Sequence, residues 1–365
     1  MFAGGGTVGI ESFIKGRKSI LIDMNPLLSE IIDAKTFLDI IDVDKLCRDM
    51  DKILFSSKRF FCPNWKNINY WYNNKILDIL TNLWGNFYYY KEELNYPILI
   101  KFALLYVSRL FSYTDDGIPK LYKSKMKVKK IDDLVKTVDI RKAISKKFKD
   151  RLFFIKLSIT ELKDILNTDD YFIPKSIVGD SYTFSYNLKN FLSSEIDCIL
   201  TSPPYLQAQE YVRSIKLDLY WSKFDDNDIR SLSKKEIPYR KLPGDYILDI
   251  NILNTVKDNI GFSFLSEKDK EIFDSYFYYT INTIYNYSKI LKKWGILCIF
   301  VGSPSFKGFT INIWEIFTEF FINKGFSLIE IFADPIVSRK VANNRNNNNP
   351  NGMNYEYLIV FKKKF

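Results

Sequence analysis

The residues best suited to chemistry gather at Ser202-Pro203-Pro204-Tyr205, which ends the apolar run Ile196-Asp197-Cys198-Ile199-Leu200-Thr201. Neither proline donates to a sheet ladder and both fix φ, so the run reads as a short strand that stops in a rigid loop. Pro204 holds residue 203 extended. The Ser202 hydroxyl and the Pro203 carbonyl then point outward as hydrogen-bond acceptors, and Tyr205 supplies a stacking face. That combination suits a flat heterocycle bearing an exocyclic amine. Pro-Pro loops also follow ordinary buried strands, so the reading leans on a second segment. Phe2-Ala3-Gly4-Gly5-Gly6-Thr7 leads into the apolar-periodic Val8 to Ile14, ended by Gly16, and Lys18 to Ile22 then reads as a strand delivering Asp23 to its carboxyl end. A glycine turn opening a helix, followed by a strand ending in an acid, is the nucleotide-binding half of a doubly wound α/β fold. Glycines admit close backbone approach to a ligand, and the acid accepts from two ribose hydroxyls.

Together these segments resemble the amino-group DNA methyltransferases that use S-adenosyl-L-methionine and carry a Ser-Pro-Pro-Tyr catalytic motif. On that resemblance Phe2, Gly4, Gly6 and Thr7 belong to the cofactor loop, and Asp23, in Asp23-Met24-Asn25-Pro26, is the ribose-binding acid. Ile177-Val178-Gly179-Asp180-Ser181 is similar to the segment that contacts the cofactor adenine, through Asp180 and Ser181. Ser202, Pro203, Pro204 and Tyr205 take the catalytic positions, Leu291 to Gly302 resembles the turn and strand that follow, and Tyr355 to Lys362 the closing strand. The implied fold is α/β, a Rossmann-like class I methyltransferase sheet with a large, mostly helical insertion. Residues 1–35 and 171–365 are then the methyltransferase domain, and 36–170 the insertion.

The implied reaction moves a methyl group from S-adenosyl-L-methionine to the exocyclic amine of a flipped base in double-stranded DNA, as in restriction-modification. Serine in the first motif position resembles the cytosine-N4 group, with adenine-N6 as the alternative. Family members also carry a strand ending in Asp-Pro before the glycine loop. The sheet is therefore expected to lack its first strand, through a split enzyme whose second polypeptide supplies it, a misassigned start or a degraded gene. Two other readings stay open: methylation of an amino group in RNA, and a catalytically incomplete DNA-binding subunit.

Composition bounds these readings. With 365 residues and 47% apolar content the chain can bury a large core, and 30 Phe and 24 Tyr favour packing and stacking alike. There is no histidine, which removes imidazole acid–base chemistry and most metal sites. The cysteines Cys47, Cys62, Cys198 and Cys298 are widely spaced, which suggests neither a zinc site nor a disulfide framework, and the last two read as core. No apolar run approaches the ~20 residues of a membrane helix and no secretory signal is evident, so the expected location is cytoplasmic. The net charge of +10 is concentrated between Lys120 and Lys156, where fourteen Lys and Arg face four Asp. A concentrated basic segment suits a phosphate backbone, although a solvated basic face has the same composition.

Long apolar-periodic stretches such as Ile76 to Trp84 and Tyr96 to Tyr113 predict helices across the insertion. Its aromatic clusters, Phe60-Phe61-Cys62-Pro63-Asn64-Trp65 and Asn69-Tyr70-Trp71-Tyr72, are candidates for stacking on an unpaired base or for the core. A helix is expected over Leu206 to Trp221, then an irregular polar stretch over 223–270 whose Lys234, Lys235, Arg240 and Lys241 form a second basic patch. Helices over 271–293 and 310–323 and strands over 295–302 and 326–332 follow. Ser338 to Asn349 reads as a low-complexity loop whose Asn and Arg could read base edges.

Overall fold

The computed structural model describes residues 1–56, 59–117, 120–166, 171–188, 195–206, 211–237, 239–336 and 353–365. It is mixed α/β. The glycine turn opens helix α1 (Thr7–Ile14), strand β1 (Ile20–Asp23) follows, and α2 (Leu28–Lys35) packs back through Leu28 and Ile32 against Leu21. Helices α3 (Val43–Phe55), α4 (Ile68–Trp71), α5 (Asn74–Tyr90), α6 (Pro97–Leu110), α7 (Lys125–Thr137) and α8 (Ile140–Ile165) fill the region where a helical insertion is predicted. The chain returns through β2 (Lys175–Val178), the short α9 (Ser181–Phe184) and β3 (Ile196–Thr201). It continues with α10 (Tyr211–Trp221), α11 (Asp226–Ser233), α12 (Asn251–Asn259), α13 (Glu267–Ser288) and β4 (Leu291–Gly302). A small hairpin of β5 (Ser305–Phe306) and β6 (Phe309–Thr310), helix α14 (Ile313–Asn323), β7 (Phe326–Pro335) and β8 (Tyr355–Lys363) complete it.

Apart from the β5–β6 hairpin, the strands of the described residues form two neighbouring sheets. β1 pairs parallel with β2, and β3, β4, β8 and β7 follow one another in a mixed sheet in which β8 runs against both its neighbours. Residues Met1–Ala3 run between the two. Ala3 N donates to Ile22 O of β1 at 3.1 Å, and Met1 O accepts from Thr201 Oγ1 of β3 at 3.0 Å.

Strand alternation divides the larger sheet into two unlike faces. Leu297, Ile299 and Val301 of β4 with Ile359 and Phe361 of β8 pack against Phe273, Tyr276 and Phe277 of α13 and Phe317 of α14. The opposite face carries Leu200, Cys298, Val360, Phe300, Leu358 and Phe332 in register, and it is thinly covered: Leu200 is 43% and Phe332 51% exposed. Cys198, expected in the core, lies exposed on this face, and Cys298 is half-buried there. The apolar run around each cysteine is the same whichever face is covered, so composition alone does not separate the two sides.

A second core gathers the helices of the insertion, and α10 and α11 join it through Val212, Leu217, Tyr220, Trp221 and Ile229. Trp221 stacks on Trp84 of α5 with centroids 5.6 Å apart and planes 14° apart. Its Nε1 donates to Tyr72 OH at 2.8 Å, and Tyr72 OH donates to Ser108 O at 2.9 Å. These buried polar tips are satisfied, which lets large rings sit in a dry core at little cost. The helix that leaves the Ser-Pro-Pro-Tyr loop is therefore anchored in the helical layer.

Two expectations need correction. The supposedly irregular stretch holds α11 and α12, and the helix expected to reach residue 293 ends at Ser288, with Leu291–Lys293 already in β4. Each of the two missed helices buries a single residue, Ile229 or Leu253, and lies in a stretch too polar to stand out by its apolar content. A capping box of Asp225 and Asp228 sets the start of α11 instead. The Ser338 to Asn349 segment lies outside the described residues. Among the described residues no helix is long and apolar enough to cross a membrane.

Candidate functional site

The glycine turn is shaped by left-handed backbone at Phe2, Gly4 and Gly6, with φ of 53°, 54° and 76°. Glycine tolerates this freely, whereas a bulky residue such as Phe2 is strained there, and strain of that kind persists only where surrounding contacts over-determine it. The two glycines serve different ends. A Cβ on Gly6 meets Ile32 Cδ1 at 2.3 Å, so Gly6 lets α1 close on α2, whereas a Cβ on Gly4 has nothing within 4 Å. Gly4 is the open wall of the turn, and Thr7, exposed, begins the helix behind it.

Asp23 holds this turn in place. Its Oδ2 accepts from Gly4 N at 2.7 Å and its Oδ1 from Asn25 N at 2.8 Å. Lys35 Nζ donates to Gly5 O at 2.7 Å from the other side. An acid at the carboxyl end of β1 therefore fastens the loop that opens α1. In this arrangement both of its oxygens already have backbone partners.

The Ser-Pro-Pro-Tyr loop leaves the carboxyl end of β3. Ser202 is exposed, Pro203 is buried, and Pro204 and Tyr205 are half-buried. Tyr205 OH donates to Glu356 Oε1 of β8, and burial together with that carboxylate pushes the phenol pKa well above its ordinary value. Gly302, paired with Glu356 across β4 and β8, leaves room for the ring: a Cβ there meets Tyr205 Cε1 at 3.0 Å and Met353 Sδ at 2.5 Å. Glu356 gives no signal in the sequence, because nothing in an alternating strand shows which member reaches a distant loop.

Asp180 sits beyond the end of β2, next to β1, where Gly179 N donates to Asp23 O at 2.8 Å. Its carboxylate caps α9, accepting from Tyr182 N at 3.3 Å and Thr183 N at 3.2 Å, and it pairs with Arg240 NH2 at 2.9 Å. Arg240 also lies over the rings of Tyr182 and Tyr279, at 5.4 and 4.9 Å. It was expected in a second basic patch for DNA; with its side chain only 13% exposed it is instead a structural partner of Asp180. Ser181 is buried directly behind it.

The structure thus brings the glycine turn, Asp23, Asp180 and the Ser-Pro-Pro-Tyr loop to one edge, at the carboxyl ends of parallel strands. Open α/β sheets present ligand crevices at that edge. A separate cleft of about 720 Å³ opens farther along α10, between that helix and the aromatic segment around Trp65 and Trp71. Comparison with protein-family models, curated proteins and solved structures returned no match.

Proposed function

We propose that the chain is an S-adenosyl-L-methionine-dependent DNA methyltransferase acting on an exocyclic amine, with cytosine N4 ahead of adenine N6. The observation that carries this reading is the placement of the glycine turn with Asp23 and of Ser202–Tyr205 at the ends of β1 and β3, bridged by Met1–Ala3. The strand sequence β2, β1, then β3, β4, β8, β7, with β8 antiparallel, supports a Rossmann-like methyltransferase sheet that is open at one strand. The residues present fit the cofactor. Gly4 faces open space, and Asp23 and Asp180 stand at adjacent strand ends, able to exchange a backbone partner for a ribose or adenine group. When bound, the cofactor supplies an electrophilic methyl group.

The chain's own residues aim the amine. An aromatic amine delocalises its lone pair into the ring. Acceptance of its two N–H bonds by Ser202 Oγ and the Pro203 carbonyl favours a more tetrahedral nitrogen, so catalysis is by position and electrostatics rather than a strong base. Tyr205, fixed by Glu356, offers the stacking face that offsets part of the few kcal/mol lost on flipping a base.

A catalytically incomplete DNA-binding subunit is the second reading. It is favoured by the engagement of both Asp23 oxygens with backbone N–H groups and by the opening between β1 and β3, which a strand from a second polypeptide would fill. One assay separates them: transfer of tritiated methyl groups to duplex DNA by the chain and by Ser202→Ala. The methyltransferase reading expects transfer by the chain and loss of more than a hundredfold in the variant with an unchanged melting temperature. Transfer that appears only with a second polypeptide supports the incomplete subunit, and equal activity of both proteins removes Ser202 from the chemistry.

A further inference from the structure

The cleft beside α10 has the chemistry of a nucleotide site. One wall is aromatic: Trp65 stacks between Trp71, at 5.9 Å and 22°, and Tyr220, at 4.4 Å and 8°. Tyr70 stands edge-on to Trp71 at 5.1 Å and remains 54% exposed at the mouth. Cations lie over these rings, Lys216 in the lining of the cleft and Lys123 beside it. Lys216 Nζ lies 5.3 Å above the Trp65 ring, and Lys123 Nζ lies 4.1 Å above that of Tyr70. Asn67, Ser233 and Glu236 contribute hydrogen-bonding groups to the lining, and the Oε1 of Glu236 holds the start of α10 by accepting from Val212 N at 2.8 Å.

A ring-shaped guest with a negative charge satisfies both features, since bases stack on aromatic faces and phosphates pair with lysines. The volume of about 720 Å³ admits a nucleotide. Its position favours a nucleotide within a strand over a free one. Val212 and Arg213 line the cleft from the first turn of α10, a few residues beyond Tyr205, while Leu121 brings the start of the basic segment to the same space. The cleft is thus lined both by the helix that follows the Ser-Pro-Pro-Tyr loop in sequence and by the residue that opens the Lys-rich segment.

We propose that the cleft binds a nucleotide of the DNA strand neighbouring the target base, its base stacked on Tyr70, which the buried Trp65–Trp71 pair supports from behind, and its phosphate at Lys216. This rests on the base-modifying reading for the position of the target, yet its test needs no catalysis. Fluorescence anisotropy of a labelled duplex would be measured with the full chain, Tyr70→Ala and Lys216→Gln across a salt series, with free deoxycytidine monophosphate as competitor. Both side chains are at the surface of the cleft, and melting temperatures check that the variants fold.

Tyr70→Ala is expected to weaken binding by roughly 5- to 100-fold, the range for loss of one base-stacking ring. Lys216→Gln is expected to lower the slope of log affinity against log salt by about one. Wild-type affinity and slope in both variants would overturn the proposal, and a monophosphate that displaces DNA at equal concentration would reassign the cleft to a free nucleotide. Failure of methyl transfer with the binding losses intact refutes the catalytic reading and leaves the cleft standing. Normal methyl transfer by variants that bind like the wild type does the reverse.

Discussion

At the scale of single residues, Asp23 carries two roles that the sequence presents as one. It is the acid at the end of a strand, as the spacing from the glycine turn suggests, and it is also the post to which Gly4 and Asn25 are tied. Replacing it with alanine removes a ligand acceptor and frees two backbone donors, and hydrogen bonds to a charged group are worth about 1.5–3 kcal/mol each when desolvated, less at this partly exposed site. Asp23→Ala is therefore expected to weaken S-adenosyl-L-methionine binding by roughly 5- to 100-fold in calorimetry. An unchanged affinity would move the cofactor pocket elsewhere. Glu356 makes the complementary case. Its hydrogen bond fixes the ring of Tyr205, so Glu356→Gln, which retains an acceptor, should preserve methyl transfer, whereas Glu356→Ala should reduce it by about tenfold through a loosened stacking face, an effect of about 1.4 kcal/mol on the barrier. Equal loss in both variants would point to the negative charge itself rather than to positioning. Asp180 departs most from its sequence reading, since Arg240 and the cap of α9 account for its carboxylate without any ligand.

Among the elements, α10 has the most to do, because it leaves the Ser-Pro-Pro-Tyr loop and ends in the helical core at Trp221. Midway along it Asp218 faces Arg109 of α6, Oδ2 to NH1 3.7 Å, with Arg109 also donating to Ser214 O at 2.9 Å. Burial pushes the Asp218 carboxyl up to about 6, and Arg109 only partly opposes the shift. A carboxyl whose pKa is raised on folding binds more protons in the native state, so stability falls as pH rises from about 4, the unfolded value, through 6. With the side chain 21% exposed, the loss is put at about 1–2 kcal/mol. Thermal melts of the chain should show this decline, and Asp218→Asn should flatten it; a decline of equal size in the variant would assign it to another group. Nothing in the sequence announces this pair, because an Asp on a helix reads as solvent-facing until the partner helix is placed. The elements that were legible are those with long, strongly apolar runs, such as α5 and α6 in the insertion, which bury many residues, and the strands bounded by proline or glycine. Those that escaped, α11, α12 and the Lys-rich start of β4, bury few side chains in polar, charged sequence, so their apolar content does not mark them. The glycine turn and the Ser-Pro-Pro-Tyr loop were legible for another reason: their backbone geometry demands particular residue types.

For the molecule as a whole, the opening between the two sheets matters more than any single contact. Among the described residues β1 and β3 each have a strand neighbour on one side only, and Ala3 N to Ile22 O and Thr201 Oγ1 to Met1 O bridge the space between them. In a parallel ladder alternate residues turn their backbone groups to opposite neighbours. Ile196 N donates to Ile290 O on the β4 side, and past the register shift between Ile196 and Cys198 the residues that share its packed face, Ile199 and Thr201, face β4, while Cys198 and Leu200 turn theirs toward the opening. An unpaired strand edge is a template for another strand, and the thinly covered face carrying Leu200 and Phe332 adds apolar area beside it. Amide hydrogen exchange should therefore find Cys198 and Leu200 exchanging at least tenfold faster than Ile199 and Thr201, although all four lie in one strand. The same opening predicts self-association at raised concentration, with binding of an apolar dye. Leu200→Lys should suppress both, because it places charge on the uncovered face without touching the packed side. Uniform protection along β3, together with a monomer that binds no dye, would mean that the edge is already paired and that the sheet needs no further strand. Slow exchange appearing at Cys198 and Leu200 only after a second polypeptide is added would identify that polypeptide as the missing neighbour, because no contact elsewhere on the surface protects those two amides and leaves Ile199 and Thr201 unchanged.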